Sequence, residues 1–147
     1  RFIELAKQYP DYPFHIYGSG PMEKELTKHL PNNVIFHGHQ DSMDTIWNDI
    51  GLLIICSRYE GLPMTALEAM GRGIPVISTP VGNISKLIQP EMNGWITEPE
   101  ALSQALLHWF ELSSINKVEI QHAAQQTIEK QFSSNTVIPQ ILKVYEV

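Results

Sequence analysis

Leu52-Leu53-Ile54-Ile55-Cys56-Ser57-Arg58-Tyr59-Glu60-Gly61-Leu62-Pro63-Met64-Thr65-Ala66-Leu67-Glu68-Ala69-Met70-Gly71-Arg72-Gly73-Ile74-Pro75-Val76-Ile77-Ser78 reads as strand, loop, helix and strand. Leu52–Cys56 is apolar at every position, as a strand covered on both faces must be. Pro63–Met70 has helical composition, with Gly73 just past its end and Pro75 beyond, the expected stop signal. Val76-Ile77-Ser78 follows as a short buried strand. Two strands covered on both faces and joined through a helix imply a parallel pair.

The same alternation extends in both directions. Upstream, Phe2, Leu5 and Ala6 share one helical face, and Pro13–Tyr17 reads as a strand running into Gly18-Ser19-Gly20. Pro21 suits the first position of a helix, Val34–His37 is a strand stopped by Gly38, and a short helix is expected near Met43–Asn48. Downstream, Ile84–Ile88 suggests a short helix and Trp95-Ile96 the last strand. Thr97-Glu98-Pro99-Glu100 has the form of a capping box. Leu102, Ala105, Leu106, Trp109 and Phe110 trace the stripe of a core-facing helix, and another helix covers roughly Asn116–Gln131. A final helix is expected from about Val137, burying Val137, Ile141 and Tyr145, with Pro139 in its first turn or kinking it. Five strands and at least seven helices thus predict an α/β fold: a parallel sheet with helices on both faces, in one domain spanning residues 1–147.

Composition narrows the function. The 147 residues carry ten Lys+Arg against sixteen Asp+Glu, a net charge of −6, which argues against nucleic acid as a partner. Apolar residues make up 43%, enough for one core, and no apolar run approaches the ~20 residues of a membrane span. The single cysteine, Cys56, cannot form an internal disulfide, so a reducing compartment is expected.

In parallel α/β sheets, ligands bind beyond the carboxyl ends of the strands. The loops to inspect are therefore Gly18–Gly20, His37–Asp41, Ser57–Pro63 and Thr79–Asn83. Glu60 precedes the helix and Glu68 lies eight positions on, inside it. Between them, Gly61 allows close backbone approach, and the N–H groups around Leu62, Pro63, Met64 and Thr65 form an anion site at the helix start. Two carboxylates flanking such a site suit a sugar–phosphate–ribose ligand. Equally, two surface glutamates near a helix start are favoured by the helix dipole alone.

The surrounding residues separate these alternatives. Glu60-Gly61-Leu62-Pro63-Met64 through Glu68-Ala69-Met70, then Gly73-Ile74-Pro75-Val76-Ile77 and Val81-Gly82, resembles the donor-binding signature of the retaining GT-B glycosyltransferases often called family 4, the glycosyl transferases group 1. The likeness continues through Tyr17-Gly18-Ser19-Gly20-Pro21, Asn33–Gly38 and Asn93-Gly94-Trp95-Ile96. It implies a Rossmann-like domain, the C-terminal, donor-nucleotide-binding half of a GT-B fold. By this resemblance Glu68 binds the ribose hydroxyls, and Glu60, the catalytic candidate, contacts the transferred sugar. The amides of Gly61–Thr65 hold sugar and diphosphate. His37 and Gly38 border the base, and Gly18, Ser19 and Gly20 approach the diphosphate.

The resemblance also implies what lies outside this sequence. The family has a strand ahead of the first helix, with a Gly-Arg and a Lys-Gly pair whose cations neutralise the diphosphate, and an N-terminal acceptor domain. Arg1 falls after both, so the fragment alone is expected to be inactive. Arg58 and Lys86 are the cations that remain near the motif, and no spacing makes either a replacement. The expected function of the intact protein is transfer of a hexose or N-acetylhexosamine from a nucleotide diphosphate sugar, UDP favoured, with retention of configuration. The acceptor would be a glycan or lipid-linked acceptor of bacterial surface polysaccharide synthesis. No cofactor and no metal are expected. A cytoplasmic location is expected, with peripheral association at the inner membrane face. The alternative is a non-catalytic nucleotide-binding or assembly module of a two-part GT-B protein.

Other features carry less. Gly18-Ser19-Gly20 lacks the third glycine of a dinucleotide fingerprint. His37-x-His39 has no further metal ligand at suitable spacing and reads as loop histidines. Cys56, within the Leu52–Cys56 strand, reads as a small core hydrophobe, as do Trp47, Trp95 and Trp109 as larger ones. His108 and His122 read as surface residues.

Overall fold

A computed structural model describes residues 1–145. The chain divides into two compact units, one from Arg1 to Asp49 and one from Ile50 onward. The α/β class is the one expected, with every strand pairing among the described residues parallel and helices between the strands, but the five strands form two sheets rather than the single sheet expected.

In the first unit, α1 (Phe2–Gln8) is followed by β1 (Phe14–Tyr17), α2 (Glu23–Leu26) with a 3-10 turn, and β2 (Val34–Gly38). β1 and β2 form a two-stranded sheet, paired from Phe14–Val34 to Tyr17–Gly38 with a register shift after Ile16. Leu5, Ala6, Phe14, Val34 and Trp47 are its buried apolar residues. Phe2 meets Phe14 edge-on, ring centroids 5.4 Å apart. The amide of Asn33 closes the end of α1, donating to the carbonyls of Ala6 and Tyr9 at 2.9 Å and of Tyr12 at 3.0 Å. Ala6 and Tyr9 each accept one main-chain N–H as well, from Tyr9 and Tyr12, so the Asn33 amide adds a side-chain donor where the helix runs out of its own.

The second unit holds β3 (Leu53–Ile55), α3 (Met64–Gly71), β4 (Val76–Ser78) and β5 (Gly94–Ile96), then α4 (Leu102–Glu111), α5 (Ser114–Gln131) and α6 (Ser134–Tyr145). The sheet order is β3-β4-β5, which places β4 in the middle, and all three of its residues are buried. α3 turns Ala66, Ala69 and Met70 into the core and packs against α5, which contributes Ile120, Ala124 and Thr127. Trp47, Trp95 and Trp109 are buried as expected.

Asn93 is the polar anchor of this unit. It is fully buried, donates to the Leu87 carbonyl at 3.1 Å and the Thr127 hydroxyl at 2.9 Å, and accepts from the Gln89 amide at 2.8 Å. Asn93→Ala takes a partner from each of these groups, Thr127 keeping only its own bond to the Ala123 carbonyl, and is expected to destabilise the fold by about 2 kcal/mol. Urea unfolding checks this, and a loss below about 0.5 kcal/mol would contradict the anchoring role.

Several local expectations are corrected. The segments at Ile46–Asp49 and Ile84–Lys86 are single 3-10 turns rather than α-helices. No capping box forms at Thr97, because Glu98 occupies the cap position with Pro99 next and no side-chain cap bond. α6 begins at Ser134, so Pro139 lies inside it. None of its described residues is buried, Ile141 being 50% and Tyr145 79% exposed. Its apolar period is real, but within this unit only part of it has a surface to cover. Cys56 lies just past β3 and is half-buried rather than inside the strand. Among the described residues, no helix is long and apolar enough to cross a membrane.

Candidate functional site

The predicted residues fall into two groups, one in each unit. In the first unit they follow the carboxyl ends of the strands. The Gly18 amide donates to the Gly38 carbonyl at 2.7 Å, so the Gly18–Gly20 and His37-Gly38 segments meet directly. Ser19 and Gly20 are exposed, and a Cβ added at Gly18 or Gly20 would meet nothing within 4 Å. Open space in front of a bare backbone is what close approach to a diphosphate requires.

His37 is held by its neighbours in a way its sequence context does not reveal. Its Nε2 lies 2.9 Å from His15 Nδ1. The two rings are tilted by only 13° with centroids 5.2 Å apart, which places them edge to edge nearly in one plane. Tyr17 stacks on the face of His37 at 4.3 Å and 7°. Burial first, and the Asp49 carboxylate second, hold the Tyr17 hydroxyl above its usual range, so it stays protonated at neutral pH. The His37 ring is thus engaged on one edge by His15 and on one face by Tyr17. His39 approaches Asp41 at 3.7 Å instead. Among the described residues, no group of three or more His, Cys, Asp or Glu could hold a metal ion.

In the second unit, the loop after β3 carries Arg58, Tyr59, Glu60, Gly61 and Leu62, and α3 starts after Pro63. α3 has no side-chain cap. Its first main-chain bonds run from the Ala66 and Leu67 amides to the Pro63 carbonyl, at 3.1 and 3.4 Å. The N–H groups of Met64 and Thr65 lie ahead of them, at the positive end of the helix. Met64, Thr65 and Glu68 share the exposed face opposite buried Ala66, Ala69 and Met70. Glu68 thus stands one turn behind the helix start on the solvent side. The Arg72 guanidinium donates to its carbonyl at 3.3 Å rather than to its carboxylate. Arg58 and Lys86 are exposed. Tyr59 and Met64 are 90% and 64% exposed, large apolar side chains on either side of Glu60 and Gly61.

The loop after β4 buttresses the loop that carries Glu60. Ser57 donates its hydroxyl to Glu60 Oε1 at 2.8 Å, and buried Thr79 donates its own to the Ser57 carbonyl at 2.8 Å. The Asn83 amide donates to the Gly61 carbonyl at 2.7 Å. Gly82, at φ +50°, lies so close beneath the Glu60 and Gly61 carbonyls that a Cβ there would overlap both oxygens. Gly61 itself faces open space.

Glu60 in the loop ahead of α3 and Glu68 on its exposed face, at the carboxyl end of a parallel sheet, occupy the elements the sequence implied. The model of the family described as glycosyl transferases group 1 matches residues 1–111. The chain belongs to this family. Among its relatives, a putative colanic acid biosynthesis glycosyltransferase, WcaL, of Escherichia coli is 25% identical over 91% of this chain and 37% of its own length. A lipopolysaccharide 1,6-galactosyltransferase of Salmonella typhimurium is 29% identical over 82% of this chain and 36% of its own. The crystal structure of Anabaena HepE in complex with UDP-glucose matches with a TM-score of 0.86 at 23% identity, covering 98% of this chain and 43% of that one. The expected fold, part of a larger glycosyltransferase architecture, is therefore borne out. The chain spans well under half the length of these proteins.

Proposed function

We propose that this group 1 glycosyl transferase chain is the donor-binding domain of a retaining enzyme that transfers a hexose or N-acetylhexosamine from a UDP-sugar. The acceptor is a glycan or lipid-linked acceptor of bacterial surface polysaccharide synthesis. The observation that carries this reading is the placement of Glu60 and Glu68 on either side of the exposed start of α3. Two relatives bear names that place them in colanic acid and lipopolysaccharide synthesis, and the HepE structure contains UDP-glucose, which favours this donor and this class of acceptor.

In this reading the Met64 and Thr65 amides accommodate diphosphate oxygens at the helix start. Glu68 accepts hydrogen bonds from the ribose hydroxyls, and Glu60 from hydroxyls of the sugar. Fixed amide dipoles stabilise the charge that develops on the departing UDP, electrostatic preorganisation that requires no metal ion. Catalysis belongs to the complete polypeptide, acting in the cytoplasm at the inner membrane face, where acceptor and further diphosphate contacts come from residues outside this chain.

The test is calorimetric titration of the full-length protein with UDP, GDP and ADP. UDP is expected to bind best, and Glu68→Ala to weaken it by about 2 kcal/mol, the loss of charge-assisted hydrogen bonds. Unchanged UDP affinity in that variant removes the ribose assignment, and no response to any nucleotide removes the donor reading.

A further inference from the structure

We propose that Ser57 and Thr79 are positioning residues for Glu60: a relay of two hydroxyls sets the direction of its carboxylate from the buried end of β4. The inference rests on the donor-site reading above and extends it to residues that touch no ligand.

Glu60 is exposed and sits on a loop, so its side chain has no packing of its own to fix it. A long side chain in that position samples many rotamers. The Ser57 hydroxyl removes this freedom by donating to Oε1 at 2.8 Å, which leaves Oε2 for a ligand hydroxyl. A carboxylate has lone pairs for both partners at once.

Ser57 is itself anchored. Thr79 is 2% exposed and prolongs the β3–β4 ladder one residue beyond the strands, its amide donating to the Ile55 carbonyl at 2.9 Å. Its carbonyl accepts the Ser78 hydroxyl at 2.8 Å. The Thr79 hydroxyl points across to the Ser57 carbonyl at 2.8 Å, with Ile55 a distant second at 3.5 Å. A buried hydroxyl must find an acceptor, and here its short bond runs to the residue that orients Glu60. At the other end of the loop, the Asn83 amide holds the Gly61 carbonyl. Glu60 is therefore suspended between two attachments to a single segment, Thr79–Asn83. Glu68 has no counterpart to this arrangement, because the helix backbone already carries it.

Positioning and mere loop stability make different forecasts. The measured quantity is the ratio of the Kd for UDP to the Kd for UDP-glucose on the full-length protein, repeated with UDP-N-acetylglucosamine. Ser57→Ala is expected to lower that ratio about tenfold while the Kd for UDP changes less than twofold, since a sugar contact is lost and nucleotide contacts are not. Ser57→Thr keeps the hydroxyl and is expected to keep the ratio. Thr79→Val should lower the ratio in the same direction by about threefold, and Thr79→Ser should restore it, as one neutral hydrogen bond acting through Ser57 implies. A ratio unchanged by Ser57→Ala overturns the inference. So does a parallel loss of UDP and UDP-sugar binding, which is what a collapsed loop would give. Failure of the wild-type protein to bind any of the three ligands instead overturns the donor-site reading itself.

Discussion

In the complete enzyme, Glu60→Gln is expected to lower turnover about a hundredfold while leaving the affinity for UDP within about twofold, a barrier increase near 2.7 kcal/mol. The substitution keeps the size of the side chain and keeps an oxygen able to accept from Ser57. What it removes, in the donor-site reading proposed above, is a negative charge beside the sugar. Glycosyl transfer passes through a state with positive charge developing on the ring, so an anion placed there is worth more in the transition state than in the ground state. An interaction that grows only along the reaction coordinate affects kcat, and UDP alone never meets it. Steady-state kinetics with a UDP-sugar, together with calorimetry on UDP, separate the two. Equal losses in turnover and UDP affinity would show that Glu60 acts on the nucleotide and not on the sugar.

Gly82→Ala is expected to be the most damaging single change to the fold, at about 3–4 kcal/mol, although it adds only one carbon. Gly82 has φ +50°, and its Cβ would overlap the carbonyl oxygens of both Glu60 and Gly61. Neither oxygen belongs to a flexible side chain, so the backbone itself must move. Separating the two loops also pulls the Asn83 amide from the Gly61 carbonyl, the bond that closes the far end of the Glu60 loop. Overpacking against backbone and an unfavourable left-handed conformation act together here. Gly61→Ala is the matched control, because nothing lies within 4 Å of its added Cβ. That control should stay within about 0.5 kcal/mol of wild type in urea unfolding. Similar midpoints for the two variants would rule out the proposed contact.

The sequence and the structure agree most closely where local chemistry is decisive. Leu52–Cys56, Pro63–Met70 and Val76–Ser78 are legible because strand apolarity, helix composition and the Gly73–Pro75 stop all point the same way, and Glu60 and Glu68 are fixed by their offset from one helix start. The His15–His37 pair is hidden because it joins residues 22 apart across a sheet register that shifts between Ile16 and Tyr17. No periodicity encodes that shift. Ser57 and Thr79 open two of the loops the sequence marks, but their connection is hidden for a related reason: hydroxyl residues are common in loops, and only tertiary geometry shows that Thr79 is buried and aimed at Ser57. The burial expected for α6 fails because an apolar stripe records that a surface is to be covered without recording by what.

The uneven packing around the Glu60 loop has an evolutionary consequence. Gly82 cannot gain a side chain without meeting the Glu60 and Gly61 backbone, whereas Tyr59 and Met64, on either side of those residues, are 90% and 64% exposed. Replacing either should alter folding stability by less than about 0.5 kcal/mol. Change can therefore proceed at those two positions one substitution at a time, with no compensating repair in the core. The residues that brace the Glu60 loop and the residues free to vary around it are close neighbours but answer to separate selection.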